Sequence, residues 1–215
     1  DAASHSIAAG QSSSTFAQSS LALGNGATTL AGADGSASIG FDTTAGGKTS
    51  LAVGTQSSTL GAQSVAMGFN SSADGDFSLA MGSSSLTTST GVGAVAMGDF
   101  ATANGAQSFS LGFSTTSNGA QSLALGSGTT TVGDQSVALG FKTTTNGDFS
   151  LAMGSSSSTT STGVGAVAMG DTAVANGAQS FSLGANTNAN GAQSFALGSA
   201  TTANGDFSFA MGTTT

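Results

Sequence analysis

A short motif, apolar–Ala–apolar–Gly, recurs along the whole chain at a nearly constant interval. Its closing glycines are Gly10, Gly24, Gly40, Gly54, Gly68, Gly82, Gly98, Gly112, Gly126, Gly140, Gly154, Gly170, Gly184, Gly198 and Gly212. Eleven of the fourteen intervals between them are 14 residues, and the three that end at Gly40, Gly98 and Gly170 are 16. So short a period constrains the fold strongly: one unit cannot bury an apolar face alone, so units must stack into a solenoid. Most units carry a second glycine seven residues before the first, such as Gly61, Gly119 and Gly177. Each unit therefore divides into two halves, each a short strand followed by a turn. Asn-Gly pairs at 104–105, 118–119, 146–147, 176–177, 190–191 and 204–205 mark one of these turns. Their glycines are expected to supply a positive φ.

These features predict an all-β parallel β-solenoid of about 15 coils, a single repeat domain over residues 1–215. The first coils, 1–40, are atypical. Residues 76–99 recur at 148–171 with one change, Leu86 to Ser158, which gives a 72-residue super-repeat.

Strand alternation sends neighbouring side chains to opposite faces. In the strand that ends at Gly126, Ser122 and Ala124 share one face while Leu123 and Leu125 share the other. The same large pairs recur as Leu21 and Leu23, Val65 and Met67, Leu79 and Met81, Val95 and Met97, Phe109 and Leu111, and Val137 and Leu139. They continue as Leu151 and Met153, Val167 and Met169, Phe181 and Leu183, Phe195 and Leu197, and Phe209 and Met211. The second strand carries small residues, for example Thr129-Thr130-Thr131 and Ala101-Thr102-Ala103. A coil so short leaves a narrow interior that takes Ser, Ala and Thr, so the large pairs are expected to point outward. Each large residue is worth about 1.5–3 kcal/mol when buried. A continuous stripe of them exceeds the apolar patch that a monomer tolerates. The stripe is therefore expected to be covered, by default through cyclic self-association.

Composition narrows the function. The net charge is −8, with ten Asp, no Glu, no Arg and only Lys48 and Lys142 as cations. No basic patch exists to neutralise phosphates, which argues against nucleic acid. No apolar run approaches the roughly 20 residues of a membrane helix, so no membrane insertion by this segment is expected. The chain opens at Asp1 without the basic and apolar start of a secretory signal. It reads as a mature form or as a piece of something longer.

Catalytic chemistry has little to draw on. The one histidine, His5, lies in the atypical first coil, and Cys and Glu are absent, so no enzyme, metal or cofactor is expected. Asp76, Asp134, Asp148 and Asp206 share one turn position and read as solvated turn residues, not calcium ligands. Thr129 with Thr131 and Thr143 with Thr145 raise a minor ice-binding reading, which needs a flat outward Thr-x-Thr array. Two roles are open for a further aromatic set, Phe69, Phe77, Phe141 and Phe149, with Lys142 nearby. The rings pack between chains, with Phe69 paired to Phe77 and Phe141 to Phe149 across the turns, or they form an exposed ligand-binding patch.

The units QSVALG (135–140), NGAQSFALG (190–198) and ATANGAQSFSLG (101–112) resemble the head repeats of trimeric autotransporter adhesins, the YadA-like head. The resemblance covers nearly all of the chain. It implies a left-handed parallel β-roll assembled as a homotrimer, with the large apolar pairs in the trimer core. It also implies a non-enzymatic adhesin on the bacterial cell surface, with a host matrix protein, a glycan or a surface as partner. The alternative is a structural segment of an extracellular fibre, filament or phage tail fibre that stacks end to end on itself.

Overall fold

A computed structural model describes residues 5–160 and 162–214. The chain forms two compact units, Asp1–Gln107 and Ser108–Thr215. All regular structure among the described residues is β-strand.

In the first unit the longer strands are Ile7–Ala9, Leu21–Leu23, Ala37–Phe41, Leu51–Thr55, Val65–Phe69, Leu79–Met81 and Val95–Met97. They pair in chain order as a parallel sheet. Two-residue strands, from Ser14–Thr15 to Thr102–Ala103, form a second parallel sheet in the same order. The second unit repeats the plan with longer strands from Phe109–Phe113 to Phe209–Thr213 and short ones from Thr116–Ser117 to Thr202–Ala203. Strand spacing in sequence sets the register directly. Leu123 faces Val137 and Leu125 faces Leu139, each 14 residues on. The 16-residue coils keep phase, since Met81 still faces Met97 and Met153 faces Met169. The two extra residues lie in the turn after the short strand, where Gly91 N–H donates to the Thr88 carbonyl and Ala94 N–H to that of Gly91.

Among the described residues the interior is built from small side chains alone. Ala, Ser and Thr fill it, and the largest fully buried side chains are threonines. Hydroxyls bridge the two sheets across a coil: the Thr131 hydroxyl donates to Ser122 Oγ at 2.8 Å, and Ser50 and Thr59 share a bond of 2.8 Å. Serine hydroxyls also close the turns, as when Ser122 donates to the Gly119 carbonyl at 2.6 Å. Such bonds offset the cost of burying hydroxyls in a narrow space.

The turns depart from expectation in one respect. The glycines of the Asn-Gly pairs do not carry the positive φ. That conformation falls two residues later, on Gln121, Phe149, Gln179 and their equivalents. At Gly119, Gly147, Gly177 and Gly191 glycine is needed for a different reason, close approach to the backbone of the next coil. A Cβ on Gly119 would lie 2.0 Å from the carbonyl oxygen of Gly133 in the next coil. The motif glycines combine both demands: Gly126 has φ +133°, and a Cβ there would lie 1.9 Å from the Gly140 oxygen.

Candidate interaction surface

The long strands place alternate side chains on opposite sides. In Leu123–Ser127 the middle alanine, Ala124, is buried, while Leu123 is half-buried and Leu125 is 44% exposed. This pattern recurs through both units, with a buried Ala or Ser between two large residues that stay half-buried or exposed. Each large residue lies directly beside its equivalent in the next coil. In the second unit the rings of Phe181, Phe195 and Phe209 stack in succession, with centroids 6.0 Å and then 5.2 Å apart. Every large pair read from the sequence lies on this outward side of its strand. Four residues of the same columns were not singled out from the sequence: Ile7, Ile39, Leu51 and Val53. Their register partners are Leu21, Val53, Val65 and Met67. The glycine phase, through Gly10, Gly40 and Gly54, was the signal that marks them.

The second aromatic set separates into two columns. Phe69 ends the strand Val65–Phe69, and its carbonyl accepts from Ser84 N–H. Phe77 sits in the turn that leads into Leu79–Met81, and its N–H donates to the Ala62 carbonyl. They therefore stand at opposite ends of the long strands, so the expected pairing across the turns is not found. Phe141 and Phe149 are divided in the same way: Phe141 ends the strand Val137–Phe141, Phe149 precedes the strand Leu151–Ser155, and the short strand Thr144–Thr145 lies between them. Lys142 holds its Nζ 5.1 Å from the Phe141 ring centroid, a cation–π distance. Phe77 and Phe149 have φ of 58° and 56° and are 61% and 62% exposed. A bulky residue is uncommon in that backbone region. Other coils place Gln there, such as Gln63 and Gln135.

Position bears on two further sets of residues. Thr129, Thr131, Thr143 and Thr145 are fully buried, so the Thr-x-Thr pairs face inward and form no outward ice-binding array. Alternation leaves only the central threonine of each pair, such as Thr130, partly accessible. The turn aspartates are exposed yet serve the coil. Asp76, Asp134 and Asp206 accept backbone N–H bonds from Ala62, Ala120 and Ala192, and Asp148 accepts one from Asp134. Among the described residues no three acidic, His or Cys side chains gather into a metal-binding group.

A two-sheet parallel solenoid with a small-residue interior and an outward stripe of large apolar residues defines a β-solenoid repeat protein. The family model described as the YadA head domain repeat matches residues 3–27, 60–85, 89–115, 106–129, 117–143, 132–157, 161–187 and 189–215. The chain belongs to the YadA head domain repeat family. Heads of this family are structural adhesin domains, exposed at the cell surface, that form homotrimers. A comparison with curated proteins finds no match.

Proposed function

We propose that this chain is the head of a homotrimeric surface adhesin, with the outward stripes of three copies packed around a common axis. One observation carries the reading: among the described residues no fully buried side chain is larger than threonine, while Leu, Met and Phe line the outer side of the long strands. The coil has no room for those residues, so only another molecule can cover them. Membership of the family supports the number three and a role in attachment.

The two aromatic columns border the stripe. Phe69 and Phe141 follow its third position by two residues, and Phe77 and Phe149 precede its first by two. A neighbouring copy seated on the stripe covers these margins, and Lys142 stays at the rim. Attachment then falls to the Ser-, Thr- and Asn-rich turns that face away from the axis, towards a host matrix protein, a glycan or another surface. Beads coated with the chain are expected to adhere to a surface of extracellular matrix protein or glycan. Beads coated with the assembly-deficient Leu125→Asp chain are expected not to. Equal adhesion by the two would contradict the reading.

A further inference from the structure

Every methionine of the chain stands at one position of the coil. Met67, Met81, Met97, Met153, Met169 and Met211 all occupy the third residue of a long strand. In the first unit Met67, Met81 and Met97 are direct neighbours in three successive coils. In the second unit Met153 neighbours Met169. None is enclosed within its coil: Met67 is 37% exposed, Met211 is 61% exposed, and Met81 and Met153 are half-buried. Other coils place Leu at the same position, as at Leu111, Leu125, Leu139, Leu183 and Leu197. The position thus asks only for a long apolar side chain, and the coil itself does not require sulfur. What sulfur adds is chemistry, since a thioether is oxidised under conditions that leave Leu untouched.

We propose that this methionine column is an oxidation site that governs self-assembly, with a hydroperoxide as the oxygen donor. A methionine sulfur lone pair attacks one peroxide oxygen, the O–O bond breaks, and an S–O bond forms. Hydrogen peroxide leaves as water, so the thioether is oxidised to a sulfoxide and the peroxide is reduced. The sulfoxide is a polar acceptor that an apolar interface leaves without a donor. A chain oxidised before assembly therefore carries a stripe that no longer associates, whereas an assembled chain shields its column. This inference rests on the self-association proposed above.

The test uses the full chain. It is treated with hydrogen peroxide either in its native state or unfolded in guanidinium, freed of both reagents and returned to native buffer. Sulfoxide at each methionine is read by peptide mass spectrometry and native mass by sedimentation. The chain oxidised while unfolded is expected to stay at single-chain mass, and a variant with all six Met→Leu, treated identically, to regain the multi-chain mass. In the native assembly the column is expected to oxidise roughly tenfold more slowly than in the unfolded chain. Reducing the oxidised chain with the two methionine sulfoxide reductases should restore assembly, which keeps the test decisive even if the six-fold variant refolds poorly. A fully oxidised chain that regains the multi-chain mass, or one that stays unassembled after complete reduction, would overturn the proposal. A single-chain mass for the untreated protein would instead overturn the assembly reading itself, and it is measured first.

Discussion

Asp134 Oδ1 accepts a hydrogen bond of 2.7 Å from the backbone N–H of Ala120, fourteen residues earlier and one coil away. Asp134 N–H in turn donates to Asp148 Oδ1 at 2.9 Å. These turn carboxylates tie one coil to the next, which gives an acidic surface residue a structural task. Asp134→Ala is expected to destabilise the chain by about 0.5–1.5 kcal/mol, the usual net worth of one such bond. Asp134→Asn, which keeps Oδ1, should lose less. Denaturant melts of the two variants check this, and equal losses would show that the bond to Ala120 contributes nothing.

Coil-to-coil contact at the glycines makes a sharper contrast. A Cβ on Gly119 would lie 2.0 Å from the Gly133 oxygen, whereas one on Gly205 would meet only Ser208 Cβ at 3.8 Å. Gly119→Ala should cost more than about 3 kcal/mol, because backbone must move in two coils. Gly205→Ala should stay within about 0.5 kcal/mol. Thermal unfolding followed by circular dichroism separates them, and similar midpoints would contradict the stacking geometry.

The narrow interior has its own test at Thr131. Its hydroxyl bonds to Ser122 at 2.8 Å and to Ser117 at 3.0 Å, and the residue is fully buried. Thr131→Val keeps the shape and leaves those serines short of a partner, a loss of about 1–3 kcal/mol. Thr131→Leu adds bulk that the coil cannot house and should cost at least as much again, about 1–3 kcal/mol of overpacking. If Leu proved the milder change by chemical denaturation, the interior would be wider than these contacts imply.

Much of this was legible in the sequence, and the reasons differ by element. The phase of Gly126 and its equivalents sets both the coil length and the strand register, because glycine is obligatory where Gly126 meets Gly140. The direction of Leu123 and Leu125 followed from alternation combined with the small size of Thr129 and Thr131 opposite them. Asn118-Gly119 misled because a general preference of Asn-Gly for positive φ was outweighed by stacking, and Gln121 took that conformation instead. Phe69 and Phe77 are near in sequence, but a short strand and its turns carry the chain from one end of the coil to the other between them. Sequence distance alone could not reveal that. The bond from Ala120 to Asp134 was equally hidden, since nothing in the composition of a turn shows which neighbour its carboxylate will meet.

The margins of the stripe give a further prediction. Replacing Phe77 and Phe149 with Gln, which the same turn position carries at Gln63 and Gln135, should leave the coil's own stability within about 0.5 kcal/mol. Association should weaken, by up to about 1.5–3 kcal/mol for each ring removed from a covered surface. A dilution series in sedimentation reads the change. Unchanged association with reduced adhesion would place these rings in ligand binding instead.

In the assembly proposed above, the outward stripe, and not the interior, holds the working protein together. Sedimentation equilibrium of the intact chain in native buffer tests this most directly, alongside Leu125→Asp on the stripe and Thr130→Asp on the short strand. The mass of three chains is expected for the native protein and for Thr130→Asp, with Leu125→Asp falling towards one chain. A mass near one chain for the native protein would contradict it.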